Sequence, residues 1–316
     1  MRPILNRLGS GLLSLALLVT LTFFIAHLSP GGPAYSILGI KATPVSVDAV
    51  NMKLGLDVPL WTQFATWWLH LLQGDFGYSY LLNQPVGALI GLYEVNTLTI
   101  SVAAIVLSTL ASIGIGLVQG VHANDRLGRC IGGAQLAVYA LPSFFIATML
   151  VLGFSVAWPV LPASGVASIR LEHPGVADIV AHAVLPIATI TIFTTAGLSR
   201  FFGQAVQEEL GKEYVRTAAA KGVPPLRILF GHVLRNALRP LVTILGLSFP
   251  AIFAGGVIVE TVFGYPGLGW LLWRSALGHD YPVLIAIVLL IGVFTVVGNL
   301  IADLVNTALD PRVRYE

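Results

Sequence analysis

Long apolar runs, not a short alternation, dominate the hydrophobic pattern of this chain. Six stretches contain no Asp, Glu, Lys or Arg: between Arg7 and Lys41, Glu94 and Asp125, Arg129 and Arg170, Asp178 and Arg200, Arg239 and Glu260, and Asp280 and Asp303. Each reaches the ~20 residues that carry a helix across a ~30 Å hydrocarbon core. Trimmed at Pro, Gly and polar clusters, they predict membrane-spanning helices near residues 10–28, 97–121, 131–157, 179–199, 241–259 and 283–304. Arg2 and Arg7 precede the first run, as they would in a signal peptide. Its apolar stretch is longer than a secretory one, however, and no clear cleavage site follows before Ser29-Pro30-Gly31-Gly32, so it reads as a retained helix.

Shorter patterns lie between the runs. In "LGLDVPLWTQFATWWLHLLQGDFGYS" (54–79), Leu60, Phe64, Trp67, Trp68, Leu71 and Leu72 recur at spacings of three and four, which predicts an amphipathic helix ended by Gly74. Its Trp side chains suit the headgroup level of a bilayer. The pattern reads as a surface helix packed on the bundle, and docking of an external partner is the sharper alternative. Residues 263–282, "FGYPGLGWLLWRSALGHDYP", repeat the theme of an aromatic short helix between Gly and Pro turns. Gly87 with Gly91 and Gly116 with Gly120 both fit the GxxxG pattern, and the second pair lies inside the second span, where it predicts close helix approach.

One polar segment interrupts the apolar chain. Residues 204–221 favour a helix with Glu208, Lys212 and Arg216 in an i, i+4 ladder; Gly222 ends it and Pro224 prevents continuation. A second helix starts at Pro225 and runs to Arg239, ahead of Pro240, with Leu226, Leu229, Phe230, Val233, Leu234 and Ala237 on one side. Between the two, Thr217, Ala218, Ala219 and Ala220 present small side chains flanked by Arg216 and Lys221.

Composition supports the membrane reading. Of 316 residues 56% are hydrophobic and only 10% charged, and mean hydropathy is +0.85, far from the soluble range. The distribution of charge matters more than its net value of +2. With the N-terminus inside, thirteen of the seventeen basic residues fall on cytoplasmic segments: Arg2, Arg7, Arg126, Arg129, Arg200, Lys212, Arg216, Lys221, Arg227, Arg235, Arg239, Arg312 and Arg314. Only Lys41, Lys53, Arg170 and Arg274 lie outside. This satisfies the positive-inside rule, puts both termini in the cytoplasm and points to no nucleic acid. Positive-inside orientation alone accounts for the charge of the 200–240 loop, but not for its paired helices or its small-residue corner. The single Cys130 forms no intrachain disulfide. With no fixed-period repeat or linker, residues 1–316 read as one transmembrane domain with an external loop at about 29–95 and a cytoplasmic loop at about 200–240.

"EYVRTAAAKG" (213–222) followed by "HVLRNALRP" (232–240) resembles the cytoplasmic coupling motif of ATP-binding-cassette importer permeases, in the form found in the dipeptide, oligopeptide and nickel family. "LGLDVPLWTQF", "GDFGYS", "ETVFGYPGLGWLL", "DYPV" and "NLIADLVNTALDPRVRY" extend the resemblance over nearly the whole chain. Two positions depart from the generic pattern, Arg216 for a glutamate and Arg235 for a proline, and both are usual in this branch. A third, Gly32 in "SPGGPA", stands where the family usually has an aspartate.

The resemblance implies an all-α protein with six transmembrane helices, like a type I importer permease, in the bacterial cytoplasmic membrane. It implies that Arg216, Thr217, Ala218, Ala219, Ala220, Lys221 and Gly222 form a coupling helix seated in a groove of an ATPase. The implied partners are a second homologous permease subunit, two ATP-binding-cassette ATPases and an extracytoplasmic solute-binding protein. The implied cargo is a di- or oligopeptide or related solute, with a nickel or metal chelate as the alternative.

The chain carries no GxxxxGK[ST] phosphate loop, so ATP and Mg are expected on the partner ATPases and no cofactor on this chain. No HExxH or GxSxG occurs, the His residues lack ligand-like spacing, and no catalytic or metal-binding residue is expected. His182 reads as a packed or hydrogen-bonded histidine, with a place along a pathway as the alternative. Glu260 and Asp303 sit at span ends where water or a partner group reaches them, and Glu260 is the candidate external gate. The scarcity of ionisable residues inside the spans disfavours a stand-alone ion-coupled carrier, and an intramembrane enzyme is disfavoured with it.

Overall fold

The computed structural model describes residues 2–168 and 173–309, with side chains described at 9–168, 173–245 and 256–301. Arg170, Arg312, Arg314 and the side chains of Arg2, Arg7 and Asp303 lie outside the described residues. In order the helices are α1 (Arg2–Leu28), α2 (Pro33–Leu38), α3 (Pro44–Leu54), α4 (Leu60–Leu72), α5 (Val86–Val121), α6 (Arg126–Tyr139), α7 (Ser143–Val151), α8 (Val176–Leu210), α9 (Glu213–Ala220), α10 (Pro225–Ile228), α11 (Leu234–Val262), α12 (Leu268–Leu277) and α13 (Tyr281–Leu309). Turns of π-helix follow α7 at Leu152–Ala157 and α10 at Leu229–Val233. Five helices are long and apolar enough to cross a membrane, and six spans result if the bent pair α6 and α7 counts as one. The all-α, six-span expectation therefore holds with one amendment, the bend.

The chain forms two compact units. The first comprises Met1–Thr97 and Pro266–Val296. Here Val19 and Phe23 of α1 pack with Tyr281 and Ile285 of α13, and Leu60, Phe64, Trp67 and Trp68 of α4 close over them. The expected amphipathic helix is thus α4, packed on the bundle. Glycine ends it as predicted: Gly74 has φ 78°, and the amides of Gly74 and Asp75 donate back to Leu71 and His70, the Schellman arrangement. Leu12, Leu13, Leu17, Leu21 and Ile25 on α1 all remain more than half exposed, an apolar face of the kind that lipid, not water, covers.

Two motifs far apart in sequence meet in this unit. The buried Asp280 of "DYPV" accepts from Ser79 Oγ of "GDFGYS" at 2.5 Å and from the amides of Tyr80 and Leu81 at 3.0 and 3.4 Å. Burial holds its carboxyl above the usual carboxylate range, although Ser79 and the amides of Tyr80, Leu81 and Val283 pull it down. Because the folded value is raised, the group's contribution to stability is present below its unfolded value near pH 4 and is lost as pH rises through the folded one. Truncation is worse than ionisation, because it orphans several donors at ~1–3 kcal/mol each. Asp280→Ala is therefore expected to destabilise the permease by ~3 kcal/mol or more, read as an earlier thermal transition of the detergent-solubilised complex.

The second unit comprises Leu98–Tyr265 and Val297–Glu316. In it α8 packs on α6, α7 and α11. The GxxxG pair of α5 works as expected: a Cβ at Gly116 would stand 2.6 Å from the Ser199 carbonyl oxygen, and one at Gly120 would stand 2.7 Å from that of Gly203. Gly87 and Gly91 have no such neighbour within 4 Å.

Three expectations need correction in this unit. The third span is not one straight helix over 131–157: α6 and α7 meet at 94°. Pro142 explains the break, since it lacks an amide proton and pushes Leu141 out of helical geometry. Pro240 does not stop the second loop helix but lies within α11, as membrane helices tolerate. The helix expected over 204–221 is two helices, because α8 ends at Leu210 and the chain turns at Gly211 and the extended Lys212. Gly211 is the weakest helix former there. The turn also shifts the charge ladder: Lys212 pairs with the half-buried Glu209 at 4.0 Å and Arg216 with Glu213 at 3.8 Å, both at i, i+3, and the second, fully exposed pair contributes little.

Candidate coupling surface

The polar loop is built as a short helix held at both ends. Glu213 in the first turn of α9 complements the helix dipole. Val215 and Ala218 face inward, against a core of Leu198, Phe202, Val206, Ile228, Val233 and Ala237. At the C-terminus Gly222 takes φ 78°; its amide donates to Ala219 at 2.9 Å, and that of Val223 donates to Ala218 at 3.1 Å. These are the two bonds of a Schellman end, with Val223 and Ala218 packed against the same core.

This brace decides what faces outward. Arg216, Thr217, Ala219, Ala220, Lys221 and Gly222 are exposed, and Ala218 is half-buried. The result is a low-relief strip of small side chains between two cations, open to a partner's backbone. Gly222→Ala puts a Cβ on a left-handed backbone, at a cost of ~1–2 kcal/mol. It is expected to shorten α9 without unfolding the chain, which amide hydrogen exchange at 219–223 would report.

Sequence reasoning missed the brace at the other end. Tyr214 donates to Glu209 Oε2 at 2.6 Å and contacts the Asn236 side chain, tying α9 to the end of α8 and to α11. Burial, then the Glu209 carboxylate, raises the Tyr214 hydroxyl above its ordinary value. Tyr214 and Asn236 belong to the two halves of the quoted motif, which carries no signal of their contact.

Glu260, the candidate external gate near the end of α11, is fully buried within the chain. Its carbonyl accepts from the Tyr265 amide at 2.8 Å. The preceding turn carries Gly256, where a Cβ would stand 3.5 Å from Glu260 Oε1. His182 is a packed histidine, buried and bonded through Nδ1 to the Asp178 carbonyl at 2.8 Å. Of the other outer histidines, His70 pairs with Asp75, and His279 with Ser36 and the Pro30 carbonyl. Among the described residues no group of three His, Cys, Asp or Glu is placed to hold a metal ion.

Residues 112–315 match the model of the binding-protein-dependent transport system inner membrane component, and residues 1–103 match that of its N-terminal region. The chain is 35% identical over 312 residues to the probable peptide ABC transporter permease protein y4tP of Sinorhizobium fredii, covering 99% of both chains. It is 34% identical over 298 residues to the metal-staphylopine import system permease protein CntB of Staphylococcus aureus, covering 93% of this chain and 92% of that one. Among solved structures, a chain of the inward-facing MetNI methionine ABC transporter superposes with a TM-score of 0.59 at 15% identity, over 70% of this chain and 96% of that one. At that identity the likeness speaks to the fold alone.

Proposed function

Since the chain belongs to the binding-protein-dependent transport system inner membrane components, and so is a permease subunit of an ATP-driven importer and not an enzyme, we propose that it moves peptides or related small solutes. Its relatives are named for peptide and for metal-staphylopine import, and peptide is the primary reading. A metal chelate is the second reading, favoured by the CntB relative.

The coupling role rests on one observation, the exposed strip from Arg216 to Lys221 on a helix braced by Tyr214 and Gly222. In this reading two ATPase subunits close on ATP, each holding the coupling helix of one of two homologous permeases. Tension on α9 passes through Tyr214 to α8 and α11. The bundle then shifts between outward-open and inward-open populations, driven by the different contacts the ATPases make in the two states. The termini and the 200–240 loop lie in the cytoplasm. On the opposite side the binding protein delivers solute, and Glu260 serves as the gate residue near the external end of α11.

The test is isolation of the membrane complex, followed by ATP-driven uptake in proteoliposomes supplied with the binding protein. Thermal shifts of that binding protein, titrated with peptides and with nickel chelates, separate the two cargo readings. Absence of any copurifying ATPase would remove the importer reading.

A further inference from the structure

In the first unit the ends of α1 and α3, α4 and the start of α13 frame a cleft of 440 Å³, within the range of roughly 300–1,000 Å³ of small-molecule sites. Its walls fix its depth in the membrane. The apolar spans Gly9–Leu28 and Tyr281–Ile301 both end here, the first contributing Phe23 and His27 and the second Tyr281 and Ile285. Helix α4 adds Trp67, packed on Trp68, and carries the exposed Trp61. Aromatic side chains at the ends of apolar spans mark the level where hydrocarbon gives way to headgroups.

Three groups on this wall have binding capacity to spare. Lys53 is exposed and forms an ion pair with no carboxylate among the described residues. Asp75 accepts from the His70 ring at 2.9 Å and from the Gly77 amide at 2.8 Å. Those bonds, that of His70 first, hold its carboxyl below the usual carboxylate range, and its side chain remains 54% exposed. His27 Nδ1 faces the Phe23 carbonyl at 2.8 Å and so carries the proton. The neutral ring then keeps an acceptor lone pair on Nε2, which has no partner among the described residues. Stacking against Phe23 at 4.0 Å and Tyr281 at 4.3 Å holds that ring in place.

The cleft thus presents a cation, an anion and a neutral acceptor above an apolar floor of Phe23, Trp67 and Ile285. A ligand of one sign leaves either Lys53 or Asp75 against a like charge. A zwitterion matches both, and one with N–H groups also satisfies His27, which a quaternary ammonium does not. At headgroup depth the zwitterion at hand is a lipid's, and Ile25 and Leu28, exposed on the same turn of α1 as His27, offer its acyl chains an apolar surface.

We infer that this cleft binds the phosphoethanolamine headgroup of a membrane lipid, with Lys53 on the phosphate and with Asp75 and His27 Nε2 on the ammonium. The inference goes beyond the importer reading and does not depend on it.

Lipid titration of the purified, delipidated membrane complex tests it, with binding read by native mass spectrometry. Phosphatidylethanolamine is expected to bind at least fivefold more tightly than phosphatidylcholine or phosphatidylglycerol of the same acyl chains. Lys53→Glu, on an exposed side chain, is expected to weaken that binding at least tenfold, whereas Lys41→Glu, outside the cleft, changes it less than twofold. His27→Phe keeps the stacked ring without Nε2 and is expected to bring the ethanolamine and choline lipids within twofold of each other. Equal binding of the three lipids by the native chain, tighter binding of phosphatidylglycerol, or binding unchanged by Lys53→Glu overturns the inference. Displacement of the lipid by millimolar free phosphoethanolamine or trialanine would make the ligand a soluble zwitterion and overturns the lipid assignment.

Discussion

Ala219→Asp is expected to reduce ATP-driven uptake by at least ~100-fold while leaving the permease folded. The side chain is exposed on α9, so within this chain the carboxylate meets only water and an unfavourable helix C-terminus, a penalty of ~0.3–1 kcal/mol. Seated in a protein groove the same carboxylate loses its water without gaining a partner. Unpaired charges at interfaces cost ~2–5 kcal/mol, and ~2.7 kcal/mol is already a factor of ~100 in affinity. The ATPase is expected to dissociate from the variant, and uptake to fall with it, while the thermal transition of the permease moves little. Ala219→Ser, small and neutral, is expected to retain both. Normal uptake by Ala219→Asp would place the ATPase contact elsewhere.

The second large effect is on folding. Gly120→Ala adds one methyl group where Val206 Cβ lies at 2.6 Å and the Gly203 carbonyl oxygen at 2.7 Å. One of these neighbours is backbone, so α5 and α8 must separate, and overpacking of this kind costs ~1–3 kcal/mol. Gly91→Ala makes the same chemical change in the same motif with nothing within 4 Å, and its effect is expected to stay within ~0.5 kcal/mol. Thermal unfolding of the two variants side by side checks this. Equal losses would mean that the α5–α8 crossing is looser than described.

That contrast shows what a linear pattern contains. Both glycine pairs read alike as small residues four apart, because the pattern names a face able to pack and not the helix that packs there. The apolar runs gave the spans because hydrocarbon thickness sets their length. They could not show the bend, since Pro142 sits inside a charge-free run whose hydropathy is indifferent to direction. The end of the coupling helix was legible at Gly222, where a left-handed residue leaves a compositional trace. Its start was not, because Lys212 is extended through the local competition between Gly211 and the Tyr214 bond to Glu209.

Longer-range links left still less trace. Ser79 and Asp280 are 201 residues apart, and the motifs holding them showed nothing of their contact. Glu260 stood at a span end, and nothing in the linear pattern showed that it is buried within the chain. Gln135 on α6 and Ser199 on α8 are hydrogen-bonded at 2.9 Å although 64 residues apart, and scanning for charge passes over amides and hydroxyls.

The central claim is that the strip from Arg216 to Gly222 touches the ATPase. Photo-crosslinking tests it most directly: a benzophenone amino acid placed at Ala219, in membranes holding the intact complex, is irradiated and the adduct identified by mass spectrometry. The account predicts an adduct with the ATPase from position 219, and none when the same probe replaces Trp61 on α4. Adducts only to lipid or to the permease itself, from 219 and from its neighbours 217 and 220, would contradict it.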